Sequence, residues 1–134
     1  MNYLLDTNIC IFTMKNNTDV IASMKRNFHK GLFVSVITLG ELEFGIYNSS
    51  NIIKKRLAVS DFLSNFDIIP FDRKAASEYG LIRADLKRRG CIIGNMDMLI
   101  AAHAKSLNMT LVTNNTREFS RIEGLRIEDW KESV

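Results

Sequence analysis

The stretch that decides the fold is Tyr3-Leu4-Leu5-Asp6-Thr7-Asn8, a short apolar run followed by an acid and two residues that favour turns and helix starts. The simplest interpretation is a central strand that passes directly into a helix-capping turn. Asp6 then lies at the carboxyl end of this strand. In a parallel sheet, ligands bind beyond that end. Asp6 is therefore a candidate site residue if the rest of the chain builds such a sheet.

The rest of the chain alternates strand-like runs with stretches of helical spacing. The further predicted strands cover residues 32–37, 67–71, 110–113 and 124–130. The predicted helices cover residues 20–28, 38–47, 52–66, 72–89 and 97–107. This alternation favours a parallel sheet covered on both faces by crossover helices. We expect one domain, residues 1–134, built as a three-layer α/β/α sandwich with a central, mostly parallel sheet.

Local signals set several of these boundaries. Thr38 with Glu41 three residues later forms a capping box that opens one helix. Asp72 can cap the long helix, and Gly90 ends it after a basic last turn. Pro70 indicates that the strand before it lies at an edge of the sheet.

Burial can be predicted at several positions. Residues 97–107 are nearly all apolar, so this helix must be buried. Cys10 and Cys91 belong to no CxxC pair and have no neighbouring histidine, so we interpret both as buried small hydrophobic residues. Within 52–66, helical intervals predict an inward face of Ile53, Leu57, Phe62 and Phe66.

Composition excludes several classes of protein. With 46% hydrophobic and 25% charged residues, one proline and seven glycines in 134 residues, the chain is typical of one globular domain, not of a disordered or collagen-like segment. No apolar run approaches the roughly 18 residues of a membrane span. Asp6 interrupts the first apolar run before a signal-peptide core could form. We therefore expect a cytoplasmic protein with no membrane partner.

Net charge permits a polyanionic partner without demanding one. The formal charge is +3, with a sequence pI near 9.0. The basic residues gather in two clusters, Lys54-Lys55-Arg56 and Lys87-Arg88-Arg89. Taken singly, each cluster is most simply interpreted as a solvated helix face.

Three isolated acids and one polar turn are predicted to meet at one edge of the sheet. Asp6 follows the first strand, Glu41 lies one turn into a helix, Asp97 opens another helix, and Thr113 and Asn115 follow the fourth strand. Carboxylates gathered without a lysine or arginine raise one another's pKa, and a divalent cation relieves this cost. Oxygen ligands favour Mg²⁺ or Mn²⁺ over zinc.

Each acid also has a structural explanation when it is taken alone. Asp6 can cap a helix, Glu41 can be the partner of Thr38 in a capping box, and Asp97 can interact with a helix dipole. Glu43 is a rival to Glu41, since residues two apart on a helix differ by roughly 200° and cannot both face one metal. Helical periodicity alone does not choose between them.

Other chemistries find little support in the sequence. His103 follows Asp97 by six residues, about 240° around a helix, so it cannot share a ligand sphere with that acid. We interpret it as a partly buried helix residue and His29 as a surface one. No arrangement of Ser, Cys and His indicates a nucleophilic triad, and no GxGxxG or GxxxxGK[ST] indicates a nucleotide site.

Four ordered motifs resemble a known family. They are LLDTN at 4–8, SVITLGEL at 35–42, IGNMDMLIAAHA at 93–104 and VTNNTREF at 112–119. Together they resemble the PIN-domain ribonucleases, and most closely the VapC toxins of bacterial type II toxin-antitoxin pairs. The likeness extends over nearly the whole chain, including Gly124-Leu125-Arg126 and Trp130.

The resemblance implies a Mg²⁺-dependent endoribonuclease toxin, with Mn²⁺ as a possible substitute ion. Its catalytic acids fall on Asp6, Glu41 and Asp97, which favours Glu41 over Glu43, and these three are the implied metal ligands. The fourth family position, commonly aspartate, falls on Asn115. Thr113 matches a supporting hydroxyl residue.

The resemblance also implies an accessory role for Glu118, a homodimer, and silencing by a cognate VapB-like antitoxin over the active groove. Water activated by the metal would cut loops of structured RNA, in tRNA or rRNA, to leave a 5′-phosphate and a 3′-hydroxyl. Candidate phosphate contacts are Lys87, Arg88, Arg89 and Arg117. The main alternative is a catalytically silent RNA- or protein-binding module on the same fold. A second alternative is an aspartyl-phosphate phosphatase, which also places an aspartate after its first strand. It is disfavoured, because that mechanism needs a second aspartate two residues later, where this chain has Asn8.

Overall fold

The computed structural model describes residues 2–131. The strands are β1 (Tyr3–Leu5), β2 (Leu32–Ser35), β3 (Asp67–Ile69), β4 (Thr110–Val112) and β5 (Ile127–Glu128). The helices are α1 (Thr7–Met14), α2 (Thr18–Asn27), α3 (Val36–Tyr47), α4 (Ile52–Leu63), α5 (Arg73–Arg88), α6 (Asn95–Ser106) and α7 (Thr116–Phe119), with a 3-10 turn at Phe28–Lys30. No helix in this part of the chain is long and apolar enough to span a bilayer.

The five strands form one parallel sheet in the order β3-β2-β1-β4-β5. The central strand is β1, in which Leu4 lies opposite Phe33 on one side and Leu111 on the other. The pairing with β4 continues past the strand, because the Asp6 amide donates to the Val112 carbonyl at 2.9 Å. The prediction of a central parallel strand that ends at Asp6 is therefore confirmed.

Two hydrophobic cores cover the two faces of the sheet. Successive side chains of a strand point to opposite faces, and accordingly Leu5 packs with residues of α1 to α4 whereas Leu4 packs with residues of α5 to α7. Both leucines are fully buried. The three-layer α/β/α architecture predicted from the alternation of strands and helices is confirmed.

The start of α3 differs from the prediction. The strand predicted over 32–37 ends at Ser35, whose side chain caps α3 by accepting a hydrogen bond from the Ile37 amide at 3.0 Å. Thr38 therefore lies inside the helix and is fully buried. The predicted capping box of Thr38 with Glu41 is wrong, because Ser35 already satisfies the free amide at this helix end.

The inward face of α4 was predicted only in part. Phe62 is buried, but Ile53 and Leu57 are 77% and 68% exposed. Val59 is the buried residue that replaces them, since this helix carries apolar residues on more than one side. The helix also ends at Leu63 instead of 66, where the Ser64 hydroxyl donates to a carbonyl of the last turn at 2.6 Å.

The remaining differences are at element ends. The edge position of β3 and the Asp72 cap of α5 are confirmed, and Gly90 has the positive φ of a helix stop. Cys10 is buried as predicted, whereas Cys91 is only half-buried. Helix α6 begins two residues earlier than predicted, α1 had been indicated only by the capping turn at Asp6, without bounds, and α7 had not been identified as a helix.

Replacement of Ser35 by alanine tests the observed start of α3. Ser35→Ala removes the cap and leaves the buried Nδ1 of His103, 2.7 Å from the serine hydroxyl, without this partner. We expect a loss of about 2 to 3 kcal/mol in the free energy of unfolding, measured by urea denaturation. The control Ser60→Ala, at an exposed position of α4, should change it by less than about 0.5 kcal/mol. Equal losses in both variants would contradict this account of the helix start.

Candidate active site

A cavity of about 570 Å³ lies beside the carboxyl end of β1. The three acids singled out from the sequence, Asp6, Glu41 and Asp97, all line it. The other lining residues come from α1, α3 and the start of α6: Thr7, Asn8, Ile11, Gly40, Phe44, Gly45 and Met96. The predicted convergence of the acids on one edge is thus observed.

Asp6 is the most deeply placed of the three acids, with only 2% of its surface exposed. One carboxylate oxygen, Oδ1, accepts a hydrogen bond from the Thr7 amide at 2.8 Å, so Asp6 also caps α1. The other, Oδ2, accepts one from the Thr113 hydroxyl at 2.8 Å. Burial raises the pKa of Asp6 to about 6, while the two hydrogen bonds act in the opposite direction.

Glu41 is held by threonines that the sequence had not marked as functional. The Thr7 hydroxyl donates to Glu41 Oε1 at 2.5 Å and lies 3.2 Å from the Thr38 hydroxyl. Because a hydroxyl has one proton, Thr7 accepts from Thr38 when it donates to the glutamate. Glu43 instead forms an ion pair with Arg56 at 3.2 Å. The structure therefore brings Glu41, and not Glu43, to the cavity.

Asp97 is half-buried in the first turn of α6. Its pKa is raised to about 6, first by burial and then by the negative charges of Asp6, Glu118 and Glu41, and a hydrogen bond with the Glu118 carboxyl acts in the same direction. Such carboxyl-carboxyl contact requires a proton or a cation. Gly94 adjoins this carboxylate, and a Cβ there would lie 3.7 Å from Asp97 Oδ2, an ordinary van der Waals contact.

Asn115 completes a chain of contacts between Asp6 and Asp97. Its backbone amide donates to the Thr113 hydroxyl at 3.0 Å, and its side-chain amide donates to Glu118 Oε2 at 3.1 Å. Thr113 in turn donates to Asp6. Asn115 thus shapes the turn after β4 and also orients Glu118 toward the acids.

No cation among the described residues balances this negative charge at the cavity wall, since its lining includes no lysine or arginine. The predicted phosphate contacts Lys87, Arg88, Arg89 and Arg117 lie outside the lining as well. Arg89 is engaged elsewhere, in an ion pair with Asp85 at 2.6 Å. The site is therefore a pocket of uncompensated acids.

Comparison with protein families agrees with this site. The model of the PIN domain family matches residues 3–125, which include the whole network from Asp6 to Glu118. The chain belongs to the PIN domain family.

Whole-length relatives narrow the type of PIN domain. A Shigella flexneri protein named tRNA(fMet)-specific endonuclease VapC is 42% identical over 133 residues, and the match covers 97% of this chain and 98% of the relative. Ribonuclease VapC2 of Rickettsia felis is 40% identical over 132 residues, with the same coverage of both chains. This PIN domain is of the VapC type, and the prediction of a nuclease is confirmed.

Solved structures agree with these relatives. The fold matches the crystal structure of VapBC2 from Rickettsia felis bound to a DNA fragment from their promoter, with a TM-score of 0.93, 38% identity and coverage of 97% of this chain and 99% of that one. The crystal structure of DNA-bound VapBC from Salmonella typhimurium matches with a TM-score of 0.91, 41% identity and coverage of 97% and 98%.

The donor atoms of the PIN-domain site fit a divalent cation held in part by water. In residues 2–131, no group of three or more carboxylate, imidazole or thiol side chains is arranged to hold a metal ion by itself. Mg²⁺ does not need such a cage, because it usually binds through one or two carboxylates and keeps several waters. Asp6 and Asp97 repel each other, and a cation between them would remove that cost.

His103 is a buried residue of α6 that lies away from the cavity lining. It is 1% exposed, so its prediction as partly buried is wrong, whereas His29 is exposed as predicted. Its Nδ1 lies 2.7 Å from the hydroxyl of Ser35, the cap of α3. This contact ties the helix of Asp97 to the helix of Glu41. His103 and Ser35 are 68 positions apart in the sequence, and no local sequence pattern indicates that they pair.

The raised pKa of Asp97 predicts a stability change in the metal-free protein. A carboxyl whose folded-state pKa exceeds its unfolded value stabilises below the unfolded value, near 3.8, and this stability is lost as pH rises through about 6. Asp97→Asn should therefore raise Tm at pH 8, by roughly 3 °C after allowing for solvent screening.

Thermal unfolding in EDTA at pH 4.5 and pH 8 measures this effect. The gain from Asp97→Asn should shrink at the lower pH, and added Mg²⁺ should raise Tm of the unsubstituted protein more than that of the variant. The exposed control Asp61→Asn should change Tm little at either pH. A variant that is less stable at pH 8 would contradict the charge repulsion inferred here.

Proposed function

We propose that this protein is a Mg²⁺-dependent endoribonuclease toxin that cuts loops of structured RNA and leaves a 5′-phosphate and a 3′-hydroxyl. The observation that carries the proposal is the continuous network from Asp6 through Thr113, Asn115 and Glu118 to Asp97. The two ends of this network, Asp6 and Asp97, line a cavity whose wall has no positive side chain. Such a site suits a metal cation and a phosphodiester that approaches it.

Asp6 and Asp97 would hold the ion, and Glu41 would add carboxylate oxygen atoms in the same cavity. Asn115 would act on the site through its hydrogen bond to Glu118. When bound, Mg²⁺, or Mn²⁺ in its place, polarises the scissile phosphate and lowers the pKa of water. The Thr113 hydroxyl fixes the Oδ2 atom of Asp6. The Thr7 hydroxyl donates a hydrogen bond to Glu41 and orients its carboxylate toward the cavity. There the Glu41 carboxylate would accept a proton from the attacking water.

The relatives support a transfer RNA as the first substrate to test. The proteins from Shigella flexneri and Salmonella typhimurium, each 42% identical to this chain, are both named tRNA(fMet)-specific endonucleases. Hairpin loops present the unpaired bases that proteins read most readily in RNA. Phosphate contacts by Lys87, Arg88, Arg89 and Arg117 stay a prediction, at positions outside the cavity.

Regulation by a partner follows from the same comparisons. Structures that match with TM-scores of 0.93 and 0.91 are VapBC complexes. We infer that a VapB-like antitoxin covers the active groove of this protein. We also infer that the protein acts as a homodimer and that it does so in the cytoplasm.

The pair Glu41 and Glu43 offers a matched test of the catalytic assignment. Glu41→Gln should lower the rate of RNA cleavage by roughly 100-fold or more, because it removes the proton acceptor at the cavity. Glu43→Gln, two residues away on the same helix, should leave the rate within about twofold, since it loses only a surface ion pair. Rates are measured on an initiator tRNA with Mg²⁺ and with EDTA.

The proposal fails if the protein, freed of antitoxin, cuts no RNA with Mg²⁺ while it still binds RNA. That result would favour a silent binding module. Equal activity of the two glutamate variants would overturn the role given to Glu41.

Asn115 predicts how tightly the site binds its metal. Asn115→Asp would place a second carboxylate where the amide now donates to Glu118 at 3.1 Å, so more charge would attract a cation. We expect a several-fold lower Mg²⁺ concentration for half-maximal cleavage. Asn115→Ala should lose rate without a change in far-UV circular dichroism. Identical metal titrations for all three proteins would show that Asn115 has no part in the metal site.

A further inference from the structure

The active-site cavity has an apolar wall that the chemistry described above does not use. Ile11, Phe44 and Met96 line the cavity beside the acids. Phe44 is 69% exposed and Met96 51%. Single exposed apolar residues are common, but several that line one cavity beside charged groups are typical of a binding surface.

Two glycines keep open space next to that ring. Gly40 and Gly45 lie in the interior of α3 and line the same cavity. A Cβ added at either position would meet nothing within 4 Å, so no packing contact requires a glycine there. Glycine inside a helix is destabilising relative to alanine. The helix therefore gives up stability at two positions that both face the cavity beside Phe44.

The spacing on α3 places the open surface next to the catalytic acid. Phe44 follows Glu41 by three residues, so the two side chains are neighbours on one side of the helix. A ligand that occupies the apolar wall would reach the acids at the same time. A nucleobase is flat and apolar on its faces, so it can pack on this apolar wall. Because it is joined to a phosphodiester, the same ligand would also reach the acidic site.

We propose that Phe44, with the open surface of Gly40 and Gly45, stacks on an unpaired nucleobase of the RNA next to the phosphodiester that is cut. This inference rests on the proposed ribonuclease function and adds a subsite to it. Phe44 is then a substrate-contacting residue that sets which loop geometry the protein accepts. Its ring acts on binding of the RNA and not on the metal.

The first test compares substitutions of Phe44 in single-turnover cleavage of an initiator-tRNA anticodon stem-loop. Phe44→Leu keeps apolar volume but loses the ring, and should raise the half-saturating RNA concentration by roughly 5- to 100-fold. Phe44→Trp keeps an aromatic face and should stay within about threefold of the unsubstituted protein. Maximal rate and Mg²⁺ dependence should change little, and Tm should be unaffected because the side chain is exposed.

A second test fills the open surface. The double variant Gly40→Ala with Gly45→Ala should raise Tm, because alanine favours helix and meets no neighbour, yet it should raise the half-saturating RNA concentration. Gly80→Ala is the matched control. Gly80 also lies inside a helix, α5, with nothing within 4 Å of an added Cβ, and it does not line the cavity. This control should raise Tm and leave RNA saturation unchanged.

The third test replaces each loop nucleotide in turn by an abasic one. At one position, the abasic nucleotide should raise the half-saturating RNA concentration of the unsubstituted protein strongly but that of Phe44→Leu only a little. The reason is that the ring and the base contribute to binding only when both are present. Equal penalties for both proteins at every position, or full activity of Phe44→Leu, would overturn the proposal while the ribonuclease function stands.

Two further outcomes also decide against it. If Phe44→Leu cuts RNA normally but escapes inhibition by the cognate antitoxin, the wall binds the protein partner instead of a base. If the unsubstituted protein cuts no RNA at all, the proposed function and this inference fall together.

Discussion

The hydrogen bond from the Thr113 hydroxyl to Asp6 Oδ2, 2.8 Å long, is the contact on which the rest of the site depends. Burial of a carboxylate is unfavourable unless donors reach it. Asp6 is 2% exposed, and its donors are this hydroxyl and the first amide of α1. Because Thr113 also accepts from the Asn115 amide, one small side chain joins the ends of two central strands and aligns the turn that carries Glu118.

Charge at the cavity follows from where the basic residues are engaged. Glu43 is paired with Arg56 and Asp85 with Arg89, so two acids outside the cavity have partners. Asp97, by contrast, has other acids as its charged neighbours, and its pKa is raised accordingly. A protein that neutralised this cluster with a lysine would gain stability and lose its affinity for a cation. The acidic pocket is therefore destabilising in the metal-free fold, and a bound divalent cation would offset that cost.

The sequence predicted what local patterns encode. Strand and helix alternation is local, so the parallel sheet and the edge at which Asp6 lies could be derived from it. The partner of Glu41 could not, because Thr7 is 34 residues away and helical spacing favoured a capping box with Thr38 instead. Likewise the contact of His103 with Ser35 spans 68 residues. Side-chain pairs between layers depend on tertiary packing, which periodicity does not specify.

The site is assembled from both layers of helices. Glu41 lies on α3, whose buried face belongs to the core with Leu5, whereas Asp97 lies on α6, which packs in the core with Leu4. The acids therefore approach each other only when both layers are docked on the sheet. The His103 contact with Ser35 joins these two helices directly. Helices α3 and α6 also pack against each other, and this buried bond adds a fixed contact between them that opposes a widening of the cavity by repulsion between the acids.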